Sequence, residues 1–188
     1  PRVCSGNFGA SLMKEPNKVA KCIESLKNNC TLPVTIKHRI GVDEEDSFYR
    51  LDNFVKEVAN AGADRFTVHA RKAILKGFNP KQNRTIPPLR YEIVQKLKKF
   101  NPKLLIEING GFTTIDQCIK ALNEFDGVMV GRSAYKHPLK WLALDQKIYG
   151  ENITSKSASM IIFSLIPYLE NHLKNGGETW DICKHLIN

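Results

Sequence analysis

Residues 34–39 read Val-Thr-Ile-Lys-His-Arg, an apolar, β-branched run that ends in basic side chains. Three later runs have the same form: RFTVH at 65–69, LLIEIN at 104–109 and GVMVG at 127–131. Each run is short and is bounded by turn residues, as is typical of strands that are buried on both faces. The four runs therefore predict the strands of a parallel sheet.

Amphipathic helical patterns precede and separate these strands. Apolar residues recur at helical spacing in 19–30, 48–58, 89–97 and 115–122, and Gly62 is placed to end the second helix in a left-handed conformation. The acidic run 43–46 is expected to favour the start of that helix. Both an open doubly wound sheet and a closed (β/α)8 barrel fit this alternation. No Gly-x-Gly-x-x-Gly loop follows a strand, which favours the barrel.

The pattern changes after Tyr135. One long helix is predicted over 155–174, and Gly176-Gly177 would end it. A final short helix would carry Trp180, Ile182 and Leu186. These helices predict a separate helical subdomain that is joined to the sheet near 148–154.

Composition limits the classes of protein. The net charge is +9 with a pI of about 9.4, which suits either a nucleic-acid partner or a well-solubilised basic protein. The five cysteines are scattered without a Cys-x-x-Cys pair, and the histidines lack metal-ligand spacing. This pattern excludes a disulfide framework and a zinc site and indicates a reducing compartment. No apolar run has the length of about 18 residues that a membrane span needs.

All four predicted strands end in polar or glycine residues, at the edge where parallel α/β folds place their working groups. These ends are Lys37-His38-Arg39, His69-Ala70-Arg71, Asn109-Gly110-Gly111 and Gly131-Arg132. Glycines admit a ligand close to the backbone, and free N–H groups at the start of the helix near Thr114 would attract phosphate. The alternative is that the glycines only make tight turns. The four ends together predict a site for an anionic ligand.

Individual side chains at these ends leave alternatives open. Lys37 ends an apolar strand and needs a negative partner, which is either a ligand or a buried carboxylate such as that of Glu107. His69 is either a ligand contact or a satisfied core histidine. His38 alternates away from Lys37, so ring packing is its expected role.

Five segments carry a resemblance to a known family. They are VTIKHRIG (34–41), VHARKAILKGFNPKQNRTIPPL (68–89), INGGF (108–112), VGRSAYKHP (130–138) and PYLENHLKNGGETW (167–180). Together they resemble the tRNA-dihydrouridine synthases of the DusA-type subfamily. The resemblance covers nearly the whole chain, and the segment 68–89 is its most specific part.

The resemblance implies an α/β fold that is the second half, strands 5–8, of a (β/α)8 TIM barrel followed by a C-terminal helical subdomain. Residues 1–147 would be the partial FMN-binding barrel, and 148–188 the start of a helical tRNA-binding domain. It further implies that NADPH reduces FMN and that hydride then passes to C6 of a flipped-out uridine in tRNA. A cysteine acid protonates C5. The expected product is 5,6-dihydrouridine, with position 20/20a of the D-loop as the expected site.

The resemblance also assigns roles to individual residues. Lys37 and His69 are expected to contact flavin and uracil. The FMN phosphate and its surroundings are expected to lie against Asn109, Gly110, Gly111, Gly131 and Arg132. The substrate-side contacts carried over from the family are Arg39, Arg71 and Arg84.

The family's acid cysteine lies in a Gly-Cys-Pro-Ser turn, and the residues from Arg2 onward resemble the family's segment just after that turn. The acid is therefore expected just upstream of Pro1, and Cys4 is not its equivalent. The chain is expected to be a catalytically inactive fragment whose open sheet edges favour self-association. The cytoplasm is the expected compartment, and an organelle stays open because an upstream targeting segment would not be visible.

Two other classes of function remain open. Another FMN barrel acting on a free pyrimidine or a carbonyl compound would share the phosphate loops and the lysine, but its activity would be indifferent to tRNA and salt. A non-enzymatic RNA-binding module would use basic and aromatic residues of the tail, and its binding would weaken steeply with salt. The tail residues concerned are Lys156, Lys174, Lys184, His172, Tyr168 and Trp180.

Overall fold

The structure is a computed structural model that describes residues 8–151 and 157–184. Four parallel strands form one sheet in chain order. Their bounds are Thr35–Arg39 (β1), Arg65–His69 (β2), Ile106–Asn109 (β3) and Gly127–Met129 (β4). Because every connection between successive strands contains a helix, the α/β class predicted from the sequence is confirmed.

The helices precede, separate and follow these strands along the chain, as the periodicity of apolar residues predicts. The first four are α1 (Pro16–Asn29), α2 (Phe48–Asn60), α3 (Tyr91–Phe100) and α4 (Ile115–Leu122). The later ones are α5 (Arg132–Lys136), α6 (Leu144–Tyr149), α7 (Ala158–Ser164), α8 (Ile166–Lys174) and α9 (Thr179–Cys183). Short 3-10 turns cover Gly9–Lys14, Gln82–Arg84 and Pro138–Trp141. Gly62 follows α2 with a φ of 101°, the left-handed conformation that the sequence predicts.

The described residues divide into two compact units. One contains the residues up to Phe112 together with Lys120–Val130, and the other contains Thr113–Ile119 and the residues from Gly131 onward. The four strands all belong to the first unit.

The hydrophobic core of the first unit is centred on the two middle strands. Phe66 and Val68 of β2 and Ile106 and Ile108 of β3 are all fully buried. Their partners on α2 and α3 are Leu51, Phe54, Val55, Val58, Val94 and Leu97. Thr67 and His69 are buried as well, so both faces of β2 are covered. This double burial explains why the strand sequences lack a simple apolar–polar alternation.

The register of the sheet decides where the site lies. Arg39 pairs with His69, His69 with Asn109, and Asn109 with Met129, so the carboxyl ends of the strands align along one edge.

Two predicted strands are shorter than expected. The run 104–109 begins its strand only at Ile106, because the Leu104 N–H bonds back to the carbonyl of Asn101 at 3.1 Å in a turn. The run 127–131 ends its strand at Met129.

The single long helix expected over 155–174 is wrong. Two helices, α7 and α8, meet at Leu165. Pro167 lies in the first turn of α8, where its missing N–H costs nothing, whereas inside one continuous helix it would remove a hydrogen bond. Ser157 begins α7 by accepting a hydrogen bond from the Met160 N–H at 3.2 Å. Residues 155 and 156 lie outside the described residues.

The end of the tail follows the sequence pattern. Gly176 follows α8 with a φ of 83°, and α9 carries Trp180 and Ile182 as predicted. Leu186 lies outside the described residues. Across 8–151 and 157–184, no helix has both the length and the apolar character needed to cross a membrane.

Candidate active site

Lys37 and Asn109 meet at the carboxyl edge of the sheet. Lys37 extends from β1 across β2, and its Nζ donates to Oδ1 of Asn109 on β3 at 3.1 Å. Nδ2 of Asn109 donates in turn to the carbonyl of Met129 on β4 at 2.8 Å. Because its nitrogen bonds to this carbonyl, the Asn109 amide presents its oxygen to the ammonium.

The ammonium of Lys37 has a neutral hydrogen-bonding partner. Burial lowers its pKa, and the positive charge of Arg39 lowers it further. Glu107, the carboxylate that the sequence left open as a partner, instead accepts from Arg65 Nη1 at 2.9 Å and from Thr67 Oγ1 at 2.7 Å. A partly desolvated ammonium beside a neutral amide favours an anionic or electron-rich ligand.

His69 and the two glycines after β3 pack against one another. Gly110 has a φ of 119° and Gly111 a φ of 78°, conformations that side-chain-bearing residues rarely adopt. A Cβ at Gly110 would lie 2.7 Å from Leu89 Cδ2 and 2.8 Å from His69 Cδ2. The turn geometry and close packing therefore both require glycine here, and His69 is buried beside the turn.

The start of α4 is capped by its own side chains. Oε1 of Gln117 accepts the N–H groups of Thr113 and Thr114 at 2.8 and 3.2 Å. The Gln117 N–H bonds to Oγ1 of Thr114 at 3.3 Å, which completes a capping box. The prediction of free phosphate-binding N–H groups near Thr114 is therefore wrong for these two donors. The sequence Thr-Ile-Asp-Gln at 114–117 is the signal that could have revealed the box.

Gly131 and Arg132 belong to the second unit and begin α5. The Gly131 carbonyl accepts from the N–H groups of Ala134 and Tyr135 at 3.1 and 3.3 Å. A Cβ at Gly131 would meet no described heavy atom within 4 Å, and its φ is −114°. Packing therefore does not require glycine there, and the open backbone is available to a ligand.

The three arginines predicted as substrate contacts lie close together. Arg39 Nη1 donates to the carbonyls of Lys72 and Asn83, both at 2.9 Å. Arg71 donates to the carbonyls of Thr85 and Pro87. Burial lowers the pKa of Arg39, and the charges of Arg71 and Arg84 lower it further. The three guanidinium groups concentrate positive charge at this edge of the sheet.

Asp43 joins the loops around the site, a role that the sequence did not reveal. Its backbone φ is 51°, its Oδ2 accepts from Lys14 Nζ at 2.9 Å, and its Oδ1 accepts the Leu75 N–H at 2.8 Å. The start of α2 is capped instead by Ser47, whose Oγ accepts from the Arg50 N–H at 3.3 Å. Three members of the acidic run, Asp43, Glu45 and Asp46, form ion pairs with Lys14, Arg50 and Lys72, and the expectation that the run favours the helix start stays a prediction.

His38 points to the opposite face from Lys37, as its alternation predicts. Its ring contacts Phe54 and Phe66 edge-on, with centroid distances of 5.3 and 6.1 Å. Burial lowers the pKa of His38 to about 4, so the ring is neutral at physiological pH. Cys4 lies outside the described residues.

The fold and this edge define a class of protein: an α/β protein with a parallel sheet whose strand ends bear a cationic site. The model of the family Dihydrouridine synthase (Dus) matches residues 1–188. The chain belongs to this family, and the resemblance drawn from its sequence is confirmed.

Curated relatives agree with the family match. The chain is 51% identical over 187 residues to a tRNA-dihydrouridine(20/20a) synthase of Synechocystis sp., with 100% of this chain and 56% of that protein covered. Proteins of the same name from Shewanella oneidensis and Pseudomonas putida are 45% and 44% identical, over 99% of this chain. The chain spans about half the length of these relatives. It covers 56% of the Shewanella oneidensis protein and 55% of the Pseudomonas putida protein.

Proposed function

We propose that this chain is part of an enzyme that reduces a uridine of tRNA to 5,6-dihydrouridine, using FMN and with NADPH as the reductant. Position 20/20a is the proposed target, from the names of the relatives. The observation that carries the proposal is the Lys37 ammonium, held by the neutral Asn109 amide at the mouth of a parallel sheet. Among the residues that the structure describes, no carboxylate forms an ion pair with Lys37, and such an ammonium suits the electron-rich edge of a flavin.

The residues at the edge fit FMN in chemical character. FMN supplies hydride chemistry when bound. Lys37 would stabilise negative charge on the reduced ring, and His69 would donate to the flavin or the uracil. Asn109, Gly110 and Gly111 would border the ring and phosphate, and the open backbone at Gly131 with Arg132 would contact the phosphate.

The capping box at α4 restricts how a phosphate could bind. The N–H groups of Thr113 and Thr114 are engaged by Gln117, so phosphate contacts are assigned to the glycines and Arg132.

Substrate contact is assigned to the arginine cluster. Arg39, Arg71 and Arg84 would hold the RNA around the reacting base, because guanidinium groups bind phosphate oxygens and base edges with fixed geometry. The target uridine must leave its stack to reach a sheet edge. The proton for C5 is assigned to a cysteine upstream of Pro1, so the 188-residue chain alone is expected to be inactive.

The domain assignment is part of the same proposal. Residues 1–147 would complete a (β/α)8 barrel with upstream strands, and 148–188 would begin a helical domain that helps to bind tRNA. A chain with half of such a barrel would self-associate through its open strand edges. A monodisperse monomer in light scattering would count against self-association.

The test begins with FMN. Flavin fluorescence is titrated against this chain and against a form extended upstream through the strands that would complete the barrel. The extended form is expected to bind FMN, and Lys37→Ala is expected to weaken binding while the exposed control Lys99→Ala does not. An extended protein that ignores FMN overturns the flavin assignment and brings the RNA-binding alternative forward.

A second experiment measures enzymatic activity. Dihydrouridine formation on unmodified tRNA is expected from the extended protein with NADPH, and not from the 188-residue chain. Activity on a free pyrimidine that is indifferent to tRNA and to salt would instead support a small-molecule flavoenzyme. Dihydrouridine produced by the short chain would overturn its assigned inactivity.

A further inference from the structure

The loop between β2 and α3, residues 70–90, holds much of the chain's positive charge. It contains no Asp or Glu, and its cations are Arg71, Lys72, Lys76, Lys81, Arg84 and Arg90. These are six of the cations that give the chain its net charge of +9. We call residues 70–90 the basic loop.

Part of this charge serves internal structure. Lys72 Nζ donates to the Asp43 carbonyl at 3.1 Å and to Asp46 Oδ2 at 3.2 Å. Arg90 pairs with Asp46 and Glu92. These cations attach the basic loop to its neighbours, and their charge is largely matched by carboxylates.

Arg71 donates to carbonyls of the same loop, and the other three cations face solvent. Lys76, Lys81 and Arg84 are all exposed. Within the described parts of the chain, the Lys81 ammonium forms no hydrogen bond and no ion pair. The positive charge of Lys76 lowers the pKa of the Asp43 carboxylate. That carboxylate already accepts hydrogen bonds from Lys14 and from the Leu75 N–H. The Lys81 ammonium therefore has no evident role in folding, and the Lys76 ammonium acts in the fold through charge attraction to Asp43.

The basic loop holds these cations on an ordered backbone. Asn79 and Gln82 exchange hydrogen bonds, with each side chain accepting the other's N–H at 2.8 and 2.9 Å. Thr85 Oγ1 donates to the Lys81 carbonyl at 3.0 Å. Asn83 bonds to both backbone polar groups of Ile74. An ordered loop loses little entropy when a ligand binds, so its cations are arranged for binding.

The basic loop lies beside the candidate site. It leaves the carboxyl end of β2, and Arg39 binds it directly through the carbonyls of Lys72 and Asn83. A ligand on its exposed cations would therefore lie next to a nucleotide at the sheet edge. A small anion would need only one cluster of cations. Several cations that are spread along a loop instead match a polyanion, which carries a row of charges.

We propose that Lys76 and Lys81, together with Arg84, contact the phosphodiester backbone of the RNA strand that flanks the reacting nucleotide. The proposal rests on the proposed function and adds Lys76 and Lys81 as binding residues. An anionic membrane is the weaker partner, because Ile86 is the one large apolar residue of this loop that is highly exposed.

The test measures the binding of unmodified tRNA to the extended, FMN-loaded protein between about 50 and 200 mM salt. The double variant Lys76→Ala/Lys81→Ala is expected to reduce the slope of log K against log salt by about 1.5, since each lost phosphate contact removes roughly 0.7 to 0.9. Lys76→Arg/Lys81→Arg should retain the wild-type slope, because charge rather than shape carries the contact.

The matched control is Lys99→Ala/Lys103→Ala. Both lysines are exposed, and they lie at the end of α3 and just beyond it, before the amino end of β3. This control is expected to leave the salt slope unchanged. FMN occupancy of each variant verifies that the protein is folded.

The outcomes separate the two proposals. Wild-type binding to tRNA with an unchanged slope in Lys76→Ala/Lys81→Ala overturns the surface and leaves the proposed function intact. A wild-type protein that does not bind tRNA overturns both. Loss of binding to anionic lipid vesicles in the double variant, with tRNA binding unaffected, replaces the RNA assignment with a membrane.

Discussion

The side chain of Asn83 binds both backbone polar groups of Ile74. Its Oδ1 accepts the Ile74 N–H at 2.7 Å, and its Nδ2 donates to the Ile74 carbonyl at 2.7 Å. Ile74 lies in a loop and is not paired with a strand. The Asn83 carboxamide supplies the two backbone hydrogen bonds that a neighbouring strand would otherwise make. The contact closes the basic loop over nine residues of sequence.

Replacing Asn83 by Ala should therefore loosen the basic loop. Two hydrogen bonds of about 1 kcal/mol each are lost, so exchange of the Ile74 amide hydrogen is expected to accelerate by roughly 30-fold. Hydrogen-exchange mass spectrometry of this loop measures the effect. Lys81→Ala, which removes an exposed side chain from the same loop, serves as the control and should leave the exchange rate unchanged. Equal rates in Asn83→Ala and wild type would contradict the role of Asn83.

His38 is expected to make stability depend on pH. Burial lowers its pKa from 6.5 to about 4, so the folded protein keeps the ring neutral. The unfolded chain binds a proton below about pH 6.5, and the folded chain does so only near pH 4. Stability should thus be complete above about pH 6.5 and fall by up to about 3 kcal/mol as the pH approaches 4.

Urea denaturation of wild type and His38→Leu between about pH 7.5 and about pH 4.5 measures this dependence. Carboxylates such as Asp43 and Asp126 destabilise both proteins in acid, so the difference between the two curves isolates the histidine. Parallel pH profiles for the two proteins would show that His38 does not titrate as described.

Gly110 and Gly131 should respond differently to substitution by Ala. At Gly110 the φ of 119° and the approach of Leu89 Cδ2 to 2.7 Å combine backbone strain with a clash. Gly110→Ala is expected to lose about 3 kcal/mol of folding free energy, whereas Gly131→Ala, with open space around it, should lose less than about 1 kcal/mol. Chemical denaturation of both variants measures the contrast. Similar losses would mean that the packing of Leu89 and His69 does not restrict position 110.

The capping box of α4 yields a prediction on local chemistry. Gln117→Ala leaves the N–H groups of Thr113 and Thr114 without their side-chain acceptor, at a cost of about 1 kcal/mol. Gln117→Glu retains an acceptor and adds a favourable charge at a helix start, so its stability should equal or exceed that of wild type. Thermal unfolding distinguishes the variants. A Gln117→Glu protein as unstable as Gln117→Ala would contradict the assigned box.

Local patterns in the sequence were sufficient for the elements and the class of the fold. β-Branched runs mark the strands and apolar spacing marks the helices, because these signals depend on neighbours within a few residues. The prediction of one long helix over 155–174 was wrong because the apolar spacing continues across the boundary between α7 and α8. Pro167 is the local signal that marks the start of the second helix. The capping box at 114–117 likewise has a local signal, a threonine followed three residues later by a glutamine.

The sequence by itself determined that Arg39, His69 and Asn109 align at the sheet edge, because parallel strands end together and these strand ends are read directly from their runs. The tertiary structure decided how they pair. Lys37 and Glu107 lie on strands that each neighbour β2, and the register could have joined them. Arg65 and Thr67 bind Glu107 instead, and the lysine extends to Asn109, 72 residues along the chain. Such contacts depend on side-chain competition across strands, which local sequence patterns do not encode.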